Sequence, residues 1–437
     1  MSEQSPSSEN GFAVAEHQSR RAFADELHNR PSPVLEPPAH ITHFAFIEGA
    51  GGAEQRRHID ALCQQYGALA VPSDALHHSA DLGEFRFRWE QHTEFSTLTF
   101  FRYGAFETPF DEPASQLVPR QWLASFPGKA LVAVQMALVG FSEPPSRKSL
   151  LTWFEGHRLF GGFAANGKVR LWNSLRIHDD GYARVLAHAA DLDAERCGRM
   201  VQRVLEIETY RNMALLGLPL ARQLAPELRD MEETLVGLPT QMAERRDRDE
   251  QRGQLKHLSQ LAATTERMVA DSAFRFGATR AYADLVSARL RELDMTRSDD
   301  VQLLREFIAR RFEPAVQTCA SVQDRLLGLS ERINRAADLL STRVDLDVEE
   351  QNQALLRSMN KRAQLQVRLQ ETVEGLSVVA LTYYAIGLFN YLVQGTNVSI
   401  GPLSADLLVA IAVPVTLIWV WLTIKWFKRK MIKERGS

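Results

Sequence analysis

Two apolar runs near the C-terminus constrain this chain more than any other feature. Leu376–Val393 reads LSVVALTYYAIGLFNYLV and Leu407–Phe427 reads LLVAIAVPVTLIWVWLTIKWF. Each is close to the roughly 20 residues that a helix needs to cross the hydrocarbon core of a bilayer. The first run has no charge, and the second has none until Lys425, whose apolar stem can reach an interface. Trp419, Trp421 and Trp426 gather toward one end, as an aromatic belt does, and Pro414 is tolerated in such a helix. The loop between the runs has no Lys or Arg. Basic residues flank the pair instead: Arg357, Lys361, Arg362 and Arg368 before it, and Lys428, Arg429, Lys430, Lys433 and Arg435 after it. Positive charge stays on the cytoplasmic side. The expectation is a two-span transmembrane helical hairpin over 376–427 with the lipid bilayer as partner. A basic cytoplasmic tail follows over 428–437, the N-terminus is cytoplasmic too, and the short loop faces outward.

The rest of the chain is polar enough to fold in water. Mean hydropathy over all 437 residues is −0.22 and net charge is −3, so no nucleic-acid partner is expected. Cys63, Cys197 and Cys319 are scattered, without a CxxC pair, and suit a reducing compartment. Residues 1–18 lack an apolar core segment and read as a disordered tail rather than a secretory signal.

Residues 19–182 read as a mixed α/β cytoplasmic domain, which makes the fold class α+β. ITHFAFI (41–47) is a strand, and AEQRRHIDALCQQYG (53–67) an amphipathic helix. FRFRWE (85–90) and EFSTLTFFR (94–102) form a hairpin, and ALVAVQMALVG (130–140) a central strand. RLFGGFA and KVRLWNSL flank Asn166-Gly167, a strong hairpin turn.

Residues 183–375 read as a helical, coiled-coil-like stalk region. LGLP (216–219) and VGLP (236–239) are expected breaks, ERRDRDEQR (244–252) a solvated connector, and 254–293 a long helix. Ser298 is the expected N-cap of the next helix, with Asp299 and Asp300 in its first turn. There Val322, Leu326, Leu329, Ile333, Ala336 and Leu340 follow 4-3 spacing. After a one-residue skip, Val344, Val348, Leu355 and Met359 continue the stripe, as coiled-coil packing with a stutter does. No Pro or Gly separates Leu329 from Glu374, so one helix can run into the first apolar segment.

Chemistry-bearing residues are few. RWEQHTEFST places Arg88, Glu90, His92 and Glu94 at alternate positions, which on a strand share one face. They suit ligand binding or metal and acid–base work, although a charge-paired outer face of the hairpin is the plainer reading. His28 and Arg30, in ELHNRPSPVLEPP, can reach a ligand, although a proline-stiffened wrap over the domain surface is the plainer reading. EGAGG (48–52) lacks the spacing of a phosphate loop. No Ser/His/Asp, HExxH or Walker pattern occurs, so no enzymatic activity, no catalytic residue and no cofactor is expected. In the first span, Tyr383, Gly387, Asn390 and Gln394 fall on one helix face, as a pore-lining or an interhelical stripe would.

ELHNRPSPVLEPP, WEQHTEFST, EEQNQALLRSMNKRAQLQVRLQETVEGLSVVALTYY and the terminal hairpin resemble an uncharacterised bacterial domain-of-unknown-function family of two-pass inner-membrane proteins. That resemblance implies a place in the bacterial inner membrane and no activity. More weakly, the plan of a cytoplasmic domain, a long helix, two spans and a basic tail is similar to CorA-type magnesium channels. Those are homopentamers whose first span ends in Gly-Met-Asn. Gly387-Leu388-Phe389-Asn390 is one residue longer, and the extra residue turns Asn by about 100° round a helix. The resemblance implies a homo-oligomeric ion channel or transporter, with a divalent cation as transported or regulatory ion. The alternative is a cytoplasmic sensor or scaffold for which the hairpin serves only as anchor.

Overall fold

The computed structural model describes residues 14, 16–21, 23–24, 32–49, 51–141, 143–189, 191–244, 248–396 and 405–434. The described residues of the Pro-rich tail, 32–38, are an extended strap. Leu35 is buried, and its N–H bonds the Ala194 carbonyl at 3.0 Å. Strands follow in the order β1 (Ala39–Ile47), β2 (His77–Asp81), β3 (Arg86–Gln91), β4 (Ser96–Tyr103), β5 (Lys129–Val139), β6 (Phe160–Ala164), β7 (Val169–Ile177), β8 (Ala183–Ala189) and β9 (Gln302–Leu303). Helices are α1 (Gly52–Gln65), α2 (Arg120–Ala124), α3 (Arg147–Trp153), α4 (Ala194–Leu215), α5 (Gly217–Glu244), α6 (Arg248–Glu292), α7 (Leu304–Thr396) and α8 (Ala405–Glu434).

The strands form one sheet in the order β2-β3-β4-β1-β5-β8-β7-β6-β9. Pairs are antiparallel except β5–β8 and β6–β9. The expected strands and both hairpins are present. Strand β8 lies just beyond residue 182, where the helical region was expected to begin.

Alternation along each strand gives the sheet two buried faces. Ile41 and Ala45 of β1, Val132, Val134 and Met136 of β5, and Leu171 of β7 face α4 and the ends of α6 and α7. Phe44 and Phe46 of β1, Phe87 and Trp89 of β3, and Leu98 and Phe100 of β4 face Ile59, Leu62 and Cys63 of α1. A third cluster packs Leu150 and Phe154 against Ala137, Val139, Trp172 and Leu186 on the α1 side. The strap crosses α4 where Gly198 leaves room: a Cβ there would sit 1.5 Å from the Pro33 carbonyl oxygen.

The helical part bears out one expectation and corrects two. LGLP does separate α4 from α5, and Thr279 of α6 fills the gap by donating to the Ala214 carbonyl at 2.9 Å. VGLP does not: α5 continues through it to Glu244, held by the buried stripe Leu224, Leu228, Met231 and Leu235. Ser298 caps no helix. Its hydroxyl donates to Asp300 and accepts from Arg170 at 3.1 Å, while Arg170 pairs with Asp300. These bonds hold Asp299–Val301 in a bend that leads into β9 at the sheet edge, and α7 begins only at Leu304.

Two compact units divide the chain: 1–246 with 256–336, and 247–255 with 337–437. α7 is a single helix of 93 residues that contributes to both. In the first unit Val322, Leu326, Leu329 and Ile333 are buried, and Arg325 makes a double hydrogen bond to Glu232 of α5. This part of the 4-3 stripe is therefore intramolecular core. In the second unit the stripe emerges, with Leu355 61% exposed and Leu369 67% exposed. The expected single coiled-coil stripe is thus two surfaces, buried through Leu340 and exposed at Val348, Leu355 and Met359.

Within the second unit, half-buried or buried positions repeat along α7 at Glu374, Val378, Thr382, Ile386 and Asn390, and along α8 at Ala412, Thr416, Val420 and Thr423. Repeats of three or four residues on both helices are the pattern of two helices packed along their lengths. Among the described residues, the stretch of α7 up to Leu392 contains a segment long and apolar enough to cross a membrane, and a shorter apolar stretch covers Ala410–Trp426. The loop expected to face outward lies outside the described residues, apart from its two ends.

Candidate functional site

A cavity of about 250 Å³ lies in the first unit, between the α4-side face of the sheet and α4 itself. Its floor comes from strand alternation. Arg88 and Glu90 of β3 pair across the ladder with Thr99 and Thr97 of β4, and Thr99 pairs with His43 of β1. The floor is a polar patch three strands wide, set in an otherwise apolar face. Its roof comes from helical periodicity: Val201, Gln202, Leu205, Glu206 and Thr209 share one side of α4. Pro33 of the strap and Arg289 of α6 complete the wall.

His43 is fully enclosed, its Nδ1 2.8 Å from the Thr99 hydroxyl and its Nε2 2.9 Å from the Thr209 hydroxyl. Thr209 already donates its one hydroxyl proton to the Leu205 carbonyl at 2.9 Å. It can only accept from the ring, so Nε2 carries the hydrogen and Nδ1 accepts from Thr99. Burial, and secondarily the charge of His92, pulls the His43 pKa down to about 3, so the imidazole is neutral at physiological pH.

The charged lining is paired internally. Arg88 donates to Glu90 at 2.7 Å, with both side chains largely shielded. Glu206 accepts from Gln202 Nε2 at 2.8 Å and from Arg289, whose other arm reaches Glu292 at 2.8 Å. The Glu206 bond fixes the Gln202 amide and leaves its Oε1 buried with no partner among the described residues. A buried acceptor without a donor is costly, and a ligand that offers one removes the cost.

The four alternate residues of RWEQHTEFST do not share one environment. Arg88, Glu90 and His92 line the cavity. His92 has left the strand for the β3–β4 turn, where its ring stacks on Phe95 at 4.3 Å. Glu94 lies in the same turn and accepts two bonds from Arg275 of α6, at 2.9 and 3.3 Å. Beside it Tyr210 and Tyr282 stack at 5.8 Å, and burial together with Glu94 raises the Tyr282 pKa. His28 and Arg30 lie outside the described residues.

The span residues are likewise divided. Tyr383 is 75% exposed, Gly387 has open space where a Cβ would be, and Asn390 sits at the edge of the half-buried stripe. The side chain of Gln394 is outside the described residues. EGAGG, where described, is a turn: a Cβ on Gly52 would strike the Gln91 side chain, and Gly51 has a φ of 82°.

Sequence reading missed His43, Thr97, Thr99, Gln202, Glu206, Thr209 and Arg289. His43 stands at an inward position of an apolar strand, where it reads as ordinary core. The others meet it only through pairings far apart in sequence.

Comparison with known proteins places the chain in a family. The family described as Protein of unknown function (DUF3422) matches residues 15–431, and the chain belongs to it. No curated protein and no solved structure matches.

Proposed function

We propose that this member of the family is a membrane-anchored, homo-oligomeric sensor whose α/β unit binds a small polar molecule in the cavity beneath α4. The observation that carries this reading is the cavity itself: roofed by one helix face, and lined by the orphaned Gln202 acceptor and a neutral His43. At about 30 Å³ per molecule of liquid water, 250 Å³ is room for about eight waters, or a ligand of comparable size. Because Arg88 and Arg289 are each paired with a carboxylate, the site favours an uncharged or zwitterionic hydrogen-bond donor over a bare anion.

The apolar segments of α7 and α8 serve in this reading as a two-pass inner-membrane anchor, with both termini cytoplasmic. The exposed positions Val348, Leu355, Met359, Leu369, Val373 and Leu376 keep heptad spacing on α7. They form the seam along which copies of the chain associate.

A screen of small polar metabolites by thermal shift on the detergent-solubilised full chain tests the sensor. Stabilising compounds should lose their effect in Gln202→Leu, which removes the acceptor. If no compound stabilises the protein and Gln202→Leu is more stable than the parent, the cavity is only a packing defect.

A second reading, an ion channel or transporter of CorA-like plan, is favoured by one observation. The exposed heptad seam continues from Leu376 through Ala380 to Tyr383, and the same face runs on to half-buried Gly387 and Asn390, inside the apolar segment. Replacing Asn390 by Leu should then abolish cation flux in vesicles while leaving assembly intact. Flux that persists removes the path from that face.

A further inference from the structure

We propose that Glu155, His157 and His178 form a divalent transition-metal site of the zinc class on the sheet face opposite the cavity. The three side chains come from two turns. Glu155 and His157 lie in the turn that follows α3, where Glu155 and Gly156 take left-handed φ angles of 54° and 73°. The chain there is pinned by bonds from Gly156 N to Leu151 O at 2.8 Å and from His157 N to Phe154 O at 2.9 Å. His178 follows β7, beyond the register shift between Asn173 and Ile177, and opens the tight turn into β8. One donor atom from each of the three lies within 4.8 Å of the others. Phe154, fully buried, sits beneath them and fixes the α3 turn on the sheet.

Two imidazoles and one carboxylate are the donor set that borderline cations select, and three protein ligands leave a fourth position for water. Each ligand also has its support. The fully enclosed ring of His178 places Nδ1 3.0 Å from Glu155 Oε2 and Nε2 2.9 Å from the Ser174 hydroxyl. A carboxylate only accepts, so in the metal-free protein the ring proton is on Nδ1 and Ser174 donates to Nε2. A hydroxyl can also accept. Metal binding therefore needs only that the ring proton move to Nε2 and the Ser174 hydroxyl turn round, which frees the Nδ1 lone pair for the cation.

Glu155 has its second oxygen held by Arg184 at 3.0 Å, which leaves Oε2 for the metal. Arg184 is itself clamped by Asp180 at 2.9 Å and by the Trp153 carbonyl at 2.7 Å. Counting Glu155, Asp180 and Arg184, the net charge around the site is −1, so the guanidinium orients the ligand without repelling a cation outright. His157 lies with its ring centroid 5.1 Å from that of His178, at 76°. Its ring nitrogens have no hydrogen-bond partner among the described residues. A half-buried imidazole that faces another imidazole and a carboxylate has a ring lone pair to offer a cation held between them. Closing the donors to the about 3.3 Å spacing of tetrahedral zinc needs a shift of an ångström or so, in a turn.

The test uses the full-length protein in detergent with Co²⁺ as spectroscopic probe and Zn²⁺ as competitor. One Co²⁺ per chain should bind, with the intense visible bands of a four-coordinate ion, and Zn²⁺ should displace it. Glu155→Gln and His157→Ala, both at accessible turn positions, should each weaken binding at least tenfold. Ser174→Ala should weaken it about tenfold, since it removes only the support of His178. His77→Ala, on edge strand β2, should change nothing. Unchanged affinity in both Glu155→Gln and His157→Ala, or no bound Co²⁺ at one equivalent, overturns the site.

Discussion

The two units of this chain handle apolar side chains in opposite ways. In the first, Trp89, Trp172, Phe87 and Phe100 are wholly enclosed between a sheet and its own helices. In the second, Leu355, Leu369, Val373, Leu376 and Tyr383 project outward from helices that cover only one stripe of each other. A unit that encloses its apolar surface owes its stability to internal packing. A unit that exposes it depends on what surrounds it, whether lipid or another copy of the chain. One helix, α7, passes from the first regime to the second near Leu340, with no change in its own backbone.

That contrast can be broken from the largest effect downward. Trp89→Ala, in the first unit, should cost about 3–5 kcal/mol, read as a shift of the denaturant midpoint. A pH series should sharpen the point. His43 is held near a pKa of 3 and His40 near 4, both by burial, against an ordinary value near 6.5. The unfolded chain binds more protons below pH 6.5, so stability is full above that pH and falls as the solution is acidified. Each histidine contributes up to about 1.4 kcal/mol per pH unit, until its folded pKa is reached. In His43→Gln the acid slope of the unfolding free energy should be shallower. An unchanged slope would mean that His43 is not the enclosed neutral ring described above.

Smaller effects follow. Glu94→Gln removes the charge and one of the two hydrogen bonds from Arg275, and should cost about 1–3 kcal/mol. Asp193→Ala removes the side-chain cap that accepts from Arg196 N at 2.9 Å at the start of α4, for about 1 kcal/mol. The smallest effect on unfolding belongs to the second unit. Leu355→Ala with Leu369→Ala should move the first unit's unfolding free energy by less than about 0.5 kcal/mol. The same double variant should lower the oligomeric mass measured by light scattering corrected for bound detergent. A large loss of stability with unchanged mass would erase the distinction between the units.

Much of the fold was legible because it is periodic. Alternation in FRFRWE and EFSTLTFFR, the continuous run at 130–140 and the Asn166-Gly167 turn each specify a strand or hairpin from a few neighbouring residues. The failures share a cause. VGLP reads as a break because proline weakens a helix locally, yet α5 continues because its stripe is packed. Ser298 reads as a cap because serine usually is one before an acidic pair, yet Arg170, 128 residues earlier, claims both it and Asp300. The candidate site was legible in part: Arg88, Glu90 and His92 were singled out, but their partners on β1, α4 and α6 carry no local mark.

The period of each element, the two apolar runs and the family follow from residue types at short spacing, and so can be read along the chain. Which stripe of α7 is core and which is exposed depends instead on tertiary packing. That packing alone brought His43 beneath Thr209, and Glu155 and His157 beside His178. Those outcomes depend on which distant segments meet, and the free energy of that meeting belongs to the assembled sheet and helices rather than to any stretch of the chain.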